Sequence, residues 1–351
     1  MSNSLTIVIP NRNRDLKTVR RSVNSIIPQL NESTHLVVVD YGSELSYQVE
    51  LEQLLKTFDQ VELIKCPTQG QLWNKSRCIN IVLQSCKTTH LMVSDMDMLW
   101  HPEFVKKEVE PLSLNESVYF TVGVITQEES KQDKTFEDYK VKFQTNNEAT
   151  GISIFPTAHL KFINGFDEYY HGWGSEDTDV HVRLKNAGYK VRFHKSDIFF
   201  KHQWHPKAYR SIKSKYPYHT LQERTNASYL NRTIKLNRIR SNRKFEMGKI
   251  PAELNKSDLK VITVLSLENE LKALLYQFSE LSGNYLLRID CNSTFSFKKI
   301  IKKLIRNNLP KTLPLENVNN LVLEWIINNS RNSSYSYKIE DQIILLKINL
   351  K

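Results

Sequence analysis

Apolar residues in the first hundred positions follow two alternating periods. Leu5–Ile9, His35–Val39, Val61–Ile64 and His90–Val93 are short runs rich in β-branched residues, which predict buried strands. Between them, Leu16, Val19, Val23 and Ile26–Ile27 recur at helical spacing behind Asp15, a suitable N-cap. Leu51–Phe58 and Leu72–Leu83 predict two further helices. Repeated strand–loop–helix units predict an α/β fold, with a mostly parallel sheet covered by helices on both sides. Ligands of such sheets sit at the carboxyl ends of the strands. Those ends carry Asn11-Arg12-Asn13-Arg14, Asp40-Tyr41-Gly42-Ser43 and Ser94-Asp95-Met96-Asp97.

The pattern continues less regularly. Val118–Val124 and Gly151–Phe155 predict strands separated by a polar insertion, Gln127–Lys140. Glu176–Asn186 predicts a helix stopped by Gly188, followed by strands at Val191–Phe193 and Ile198–Phe200. Beyond residue 258 the order is a strand (Val261–Leu265), a helix (Glu268–Leu281), a strand (Tyr285–Ile289), two helices (Phe297–Asn307 and Val318–Asn328) and a strand (Gln342–Ile348). The 351 residues therefore divide, on sequence, into a catalytic domain over 1–206, a basic linker or helical segment over 207–257, and a small α/β or α+β unit over 258–351.

Composition is that of an ordinary globular chain, but the net charge of +11 is concentrated. From Lys207 to Lys244 there are eleven Lys/Arg against one acid, Glu223. Such a stretch suits a polyanionic partner or is a solvated helix face. The apolar runs are too short to span a bilayer. The four cysteines show no metal-type pairing, and a cytoplasmic home is expected. In the last unit, Phe297, Ile300, Ile301, Leu304 and Ile305 share a helical face ringed by Lys and Arg. That face packs on the unit's own core or lies on an anionic membrane, as a peripheral contact with its inner face.

Four segments carry candidate chemistry, two of them acidic. Asp95 and Asp97, one residue apart after a buried strand, suit a divalent cation bridging to phosphate oxygens. In His171-Gly172-Trp173-Gly174-Ser175-Glu176-Asp177-Thr178-Asp179, two glycines allow close backbone approach, Trp173 offers a flat face for a sugar, and three acids follow. The competing role is helix capping, with Ser175 as N-cap and the acids complementing the dipole. His202-Gln203-Trp204-His205 follows the last strand of this part and offers a third metal ligand. Trp73-Asn74-Lys75 opens a helix, where cations and free N–H groups favour phosphate, or where a solvated face simply begins.

Taken in order, these motifs resemble the β-1,4-galactosyltransferases and their bacterial relatives, inverting enzymes of the GT-A (nucleotide-diphospho-sugar transferase) fold. The resemblance rests on Ile9-Pro10-Asn11-Arg12-Asn13-Arg14, Trp73-Asn74-Lys75 with Asn80, Ser94-Asp95-Met96-Asp97, and Phe162-Ile163-Asn164-Gly165-Phe166 followed by Gly172-Trp173-Gly174-Ser175-Glu176-Asp177. It implies that Pro10, Arg12, Arg14, Trp73 and Lys75 hold uridine diphosphate, with Asp40 on the uridine. It implies Asp97 and His202 as ligands of Mn²⁺ or Mg²⁺, Asp95 beside them on metal or nucleotide, and His205 as the fallback ligand. Trp173, Gly174, Glu176 and Gly151 would line the sugar sites, and Asp177 would be the general base. Just before Gly151 this chain has Glu148-Ala149-Thr150 instead of an aromatic-glycine pattern. Galactose, N-acetylgalactosamine, glucose and a uronic acid therefore all stay open as donor sugars.

The family's secretory members carry an N-terminal anchor and disulfides, so the expected counterpart is a bacterial enzyme of capsule or other surface polysaccharide synthesis. Its partners would be a UDP-sugar and a glycan or lipid-linked glycan acceptor. Two other classes compete. One is a non-catalytic nucleotide-sugar or glycan-binding protein on the same fold, which would need no base and metal site together. The other is a nucleic-acid binder, which rests on the basic stretch alone and lacks any recognisable module, so no nucleic acid is expected.

Overall fold

The computed structural model describes residues 3–146, 151–194, 197–206, 220–292 and 311–350. The chain forms two compact units. The first comprises Met1–Cys66, Trp73–Ala208 and Glu223–Ile250; the second comprises Pro67–Leu72, Tyr209–Gln222 and Pro251–Lys351. These units differ from the boundaries at 206 and 258 drawn on composition. The segment after Glu223 packs into the first unit, where its polar side chains hold a loop described below. Among the described residues no helix is long and apolar enough to cross a membrane. The amphipathic stretch Phe297–Asn307, the Glu148-Ala149-Thr150 variation and the first part of the basic stretch lie outside the described residues.

The first unit is built on strands β1 (Leu5–Asn11), β2 (Thr34–Tyr41), β3 (Val61–Cys66), β4 (His90–Val93), β5 (Met98–Trp100), β6 (Glu116–Phe120), β7 (Gly123–Ile125), β8 (Val141–Gln144), β9 (Ser153–Pro156), β10 (Lys190–His194) and β11 (Phe200–His202). Seven of them form one sheet in the order β10-β6-β9-β4-β1-β2-β3. All its pairings are parallel except those of β9, which runs antiparallel to β4 and β6. The expected mixed α/β architecture is what the chain forms. The wholly buried runs of β1 and β4 explain the central positions of those strands.

Helices α1 (Leu16–Ile26), α2 (Leu45–Leu55), α3 (Lys75–Ser85), α4 (Gln127–Ser130), α5 (Thr157–Phe162), α6 (Glu176–Asn186) and α7 (Gln222–Lys235) fill the connections. Val19, Val23, Leu51 and Leu54 of α1 and α2 pack with Leu5, Ile7 and Ile9 of β1. Val8, of opposite pleat, packs with Cys78, Ile79 and Val82 of α3 and with Val180 and Leu184 of α6. The sheet is therefore covered on both faces. Asp15 caps α1 as its position suggests, accepting from Thr18 N at 2.9 Å. α3 starts three residues later than its apolar pattern indicates, because Asn74 is its N-cap and accepts from Arg77 N at 2.8 Å.

The run read as one strand, Val118–Val124, is two. β6 stays in the main sheet, and β7 enters a second sheet of order β5-β11-β7-β8. This second sheet matters for the site. β11 pairs antiparallel with β5 in the register His202↔Met98, which puts His202 beside the residue preceding β5, Asp97.

The second unit has a four-stranded sheet, β12 (Lys260–Leu265), β13 (Gly283–Asp290), β14 (Ser334–Glu340) and β15 (Ile343–Leu350), in the order β12-β13-β15-β14. Helix α8 (Glu268–Phe278) links the parallel pair β12 and β13, while β14 and β15 form a hairpin turned by Asp341 and Gln342, both at positive φ. Leu271, Leu275 and Phe278 of α8 and Val322 and Leu323 of α9 (Leu315–Trp325) bury against Leu287, Ile344, Leu346 and Ile348. Burying such a side chain contributes about 1.5–3 kcal/mol each, enough to give this unit a core of its own.

Candidate active site

Two clusters form at the strand ends of the first unit. In one, Lys75 Nζ at the start of α3 lies 2.9 Å from Asp95 Oδ1 and 3.4 Å from Asp177 Oδ2. Gly151 closes the group: a Cβ there would stand 3.0 Å from Asp95 Oδ2 and 3.8 Å from both Asp177 Oδ2 and Lys75 Nζ. This glycine is needed for space. Gly174 is needed for conformation instead, with φ of 100° and only Glu223 Cγ near its missing Cβ, at 3.9 Å.

Burial pushes the Asp177 carboxyl up to about 7; Lys75 opposes this, and Glu176 and Asp95 add to it. Burial raises Glu176 as well, against the pull of Lys75. Burial works against the charge of Lys75, but Asp177, Asp95 and Glu176 outweigh it and keep the amine protonated. Asp177 Oδ1 is buried and has no hydrogen-bond partner among the described residues. Such an atom costs roughly 1–3 kcal/mol or more unless a ligand group satisfies it.

Of the capping role, Glu176, Asp177 and Asp179 do lie in the first turn of α6, where they complement the dipole, but the serine cap is missing. Ser175 stands at the N-cap of α6 with φ of 74°, and its side chain makes no capping bond. A serine held in the left-handed region is strained, which is a feature of ligand-binding turns. Of the three acids, Asp179 also braces the fold: it is fully buried, pairs with Arg183 and accepts from Tyr170 OH at 3.2 Å.

In the second cluster, Asp97 lies 3.5 Å from His202 Nε2, 3.2 Å from His205 Nε2 and 3.0 Å from Arg14 NH2. Burial alone would raise the Asp97 carboxyl, but His202, His205 and Arg14 together hold it well below the usual carboxylate range. One ligand atom each from Asp97, His202 and His205 falls within 4.8 Å of the others, a grouping able to hold a metal ion. Asp97 Oδ1 and His202 Nδ1 are buried without hydrogen-bond partners among the described residues.

The remaining expected residues are dispersed. Arg12 is half-buried on the loop after β1, and Pro10 is buried within that strand. Asp40 is fully buried, and its two oxygens accept from Asn11 Nδ2 at 2.9 Å, from Ser43 and from Gln48 Nε2 at 2.7 Å. It thus braces the ends of β1 and β2. Trp73 packs edge-on to Tyr41 with ring centroids 6.2 Å apart, and its carbonyl accepts from Gly172 N at 3.1 Å. Trp173 is 38% exposed.

Several residues that order the site escape sequence reasoning. Glu168 is buried against Arg77 at 2.8 Å, and it also accepts from Asn80 Nδ2 at 2.9 Å and from Gly248 N at 2.6 Å. Asn226 of α7 is fully buried and donates to the carbonyls of His171, Trp173 and Gly174, each at 3.2 Å. Asn242 Nδ2 donates to Asn164 O and Phe166 O. None sits in a motif, and the partners of Asn226 and Asn242 are far away in sequence. No local sequence signal points to them.

A protein-family model described as the N-terminal domain of galactosyltransferase matches residues 131–205. The chain is 28% identical over 173 residues to β-1,4-galactosyltransferase 5 of Sus scrofa, covering 49% of this chain and 40% of that protein. It is 23% identical over 195 residues to chondroitin sulfate synthase 3 of Mus musculus, covering 52% of this chain and 22% of that one. Among solved structures, the mannosyltransferase PcManGT of Pyrobaculum calidifontis aligns with a TM-score of 0.45 at 14% identity, over 68% of this chain and 70% of its own. The chain spans less than half the length of these two curated relatives. Residues 131–205 thus match a galactosyltransferase model, and about half of the chain is similar to a β-1,4-galactosyltransferase.

Proposed function

We propose that the first unit, on a GT-A fold, transfers a hexose or N-acetylhexosamine from a UDP-sugar to a glycan hydroxyl, with inversion at the anomeric carbon. The observation that carries this reading is the state of Asp177: one oxygen rests by Lys75, the other is buried with no partner among the described residues, and burial lifts the carboxyl to about 7. A carboxylate in that state is a competent general base near neutral pH. Its unbonded oxygen takes the proton from the acceptor hydroxyl as the hydroxyl oxygen bonds to the anomeric carbon. The bond from that carbon to the diphosphate breaks on the opposite face, and its electron pair leaves with the diphosphate. Lys75 and Arg14 are the cations on hand to receive that charge. Gly151 leaves room for the donor sugar beside Asp95 and Asp177, and the exposed ring of Trp173 suits a sugar face.

Asp97, His202 and His205 fit a divalent cation. Their orphaned buried atoms call for a partner, and one carboxylate with two imidazoles suits Mn²⁺ better than Mg²⁺. When bound, that ion would supply charge neutralisation on the diphosphate. We extend the proposal to an acceptor of the bacterial surface-polysaccharide kind, free or lipid-linked.

The test is UDP release from a panel of UDP-sugars, with and without Mn²⁺, in the native protein and in Asp177→Asn. The expected result is Mn²⁺-dependent release from one donor, stimulated by acceptor glycan and lost in the variant. Absence of both release and UDP binding across the panel would overturn the reading.

A further inference from the structure

The polar residues 126–140, between β7 and β8, form a folded loop and not a solvated tether. Thr126 Oγ1 accepts from Glu129 N at 3.2 Å, which caps α4. Glu129 pairs with Lys134 at 2.9 Å and accepts from Lys140 N at 3.0 Å, so the loop closes on itself. Tyr139 OH donates to Gln132 O at 2.8 Å, and the Tyr139 ring is buried with Leu99 of β5 and Ile125 of β7. A compact loop packed on its own side chains is often a working part of a site.

This loop grips the segment that carries both candidate imidazole ligands. β11 ends at His202, and residues 203–206 belong to no strand. Lys201 turns to the opposite face from His202. It is buried, donates to Phe136 O and to Tyr139 O at 2.8 Å, and stands 4.5 Å from the centre of the Phe136 ring. Past His202, Trp204 N donates to Ser130 Oγ at 2.7 Å. Gln203, between them, is buried; its backbone N donates to Asp97 O at 2.9 Å and its Nε2 to Thr18 O at 3.3 Å. Arg21 of α1 joins the two sides. It donates to Ser130 O, to Gln132 O and to Tyr139 OH at 2.6 Å, and reaches Gln203 Oε1 at 3.5 Å.

The imidazole rings lack such support of their own. A metal-bound imidazole is ordinarily oriented by a hydrogen bond at its other nitrogen. Among the described residues His202 Nδ1 has no partner, and His205 Nδ1 meets only the carbonyl of the adjoining Pro206, at 3.0 Å. Orientation must then come through the backbone, and the loop holds that backbone. We propose that the loop is the frame of the metal site, and that Lys201, Ser130 and Arg21 are positioning residues that set how tightly Asp97, His202 and His205 hold a divalent cation, a role that rests on reading those three as ligands. Lys201 fixes the approach to His202, Ser130 fixes the chain between the two imidazoles, and Arg21 locks the loop to α1. Donors held in place beforehand need no ordering when the ion arrives, whereas a slack frame would have to order the His205 segment at each binding event.

The test is calorimetric titration of the full chain with Mn²⁺, alone and with UDP, alongside the visible absorption of bound Co²⁺, which reports the ligand set. Lys201→Met is expected to weaken Mn²⁺ binding by about tenfold or more, and Ser130→Ala by about threefold. Both should change the Co²⁺ spectrum, which a purely structural role would leave as it is in the folded protein. Ser130→Ala removes a single hydroxyl and keeps the fold, which circular dichroism checks. Native Mn²⁺ affinity and an unchanged Co²⁺ spectrum in both variants, at a site that Asp97→Ala empties, would overturn the proposal and leave the metal reading standing. Absence of Mn²⁺ binding in the native chain, with and without UDP, would overturn both.

Discussion

Between Asp167 and Asp179 the chain carries two groups of acids that it treats in opposite ways. Glu168 and Asp179 are buried against arginines and take up additional donors from Asn80, Gly248 and Tyr170. Glu176 and Asp177 are half-buried beside one another, share the single cation Lys75, and leave Asp177 Oδ1 without a partner among the described residues. Folding alone favours the first treatment, because a buried polar group costs least when fully bonded. The first group flanks the second in sequence, so its bonds are placed to hold the segment that carries the unbonded acids. Strain and unmet polar demand are concentrated where a substrate can meet them.

The sharpest way to break this contrast is Asp177→Asn. Turnover should fall by about 10²–10⁴-fold while UDP binding, followed by calorimetry, stays near native; preserved turnover would move the base elsewhere. Next in size is Arg77→Met, which strands the buried Glu168 carboxylate. It should lose about 3–5 kcal/mol in denaturant unfolding, and a loss below about 1 kcal/mol would show that the bonded layer is not what holds the segment. Asp97→Ala should weaken Mn²⁺-dependent UDP binding about tenfold or more, without the large stability loss of Arg77→Met. Gly151→Ala places a Cβ 3.0 Å from Asp95 Oδ2, so donor KM should rise, by about tenfold or less, at nearly unchanged stability.

The smallest effects are in pH. Asp177 must be ionised to act, so kcat/KM should climb through an apparent pKa near 7 and level off above it. For stability the sign is opposite. The folded state holds the Asp177 proton more tightly than the unfolded chain, whose carboxyl titrates near 3.8. The native fold is therefore favoured by this group at low pH and loses that advantage as pH rises from about 4 through about 7. Melting curves over that window should fall less steeply in Asp177→Asn.

Much of the site could be read from sequence because its residues cluster in motifs. The pairings of Asp177 with Lys75 and of His202 with Asp97 span about a hundred residues, but Asp177 sits at the start of α6 and Asp95, Asp97 and His202 at or next to strand ends, positions that local patterns mark. Asp40 stands at such an end too, yet the structure turns it inward as a brace, since Asn11, Ser43 and Gln48 reach it first. The Ser175 turn reads as a side-chain cap in sequence; Ser175 does stand at the N-cap, but its positive φ and missing capping bond are visible only in the structure. Pairing over long separations leaves no local mark. The clamp residues Glu168, Asn226 and Asn242 were silent for that reason, as was the grouping of Pro67–Leu72 with the second unit, where Tyr337 N donates to Gly70 O at 3.0 Å.

The three carbonyl contacts of Asn226 set the minimum transferable unit of this protein. A fragment ending at residue 206 would contain every acid, histidine and tryptophan proposed for the chemistry, yet the turn carrying Trp173 and Gly174 would lose its inner tether. Glu168 would at the same time lose the Gly248 and Asn242 contacts that seat it. Motif boundaries and functional boundaries thus diverge by some forty residues, and domain grafts or circular permutations cut at the motif edge would carry over the reacting groups without the frame that aims them.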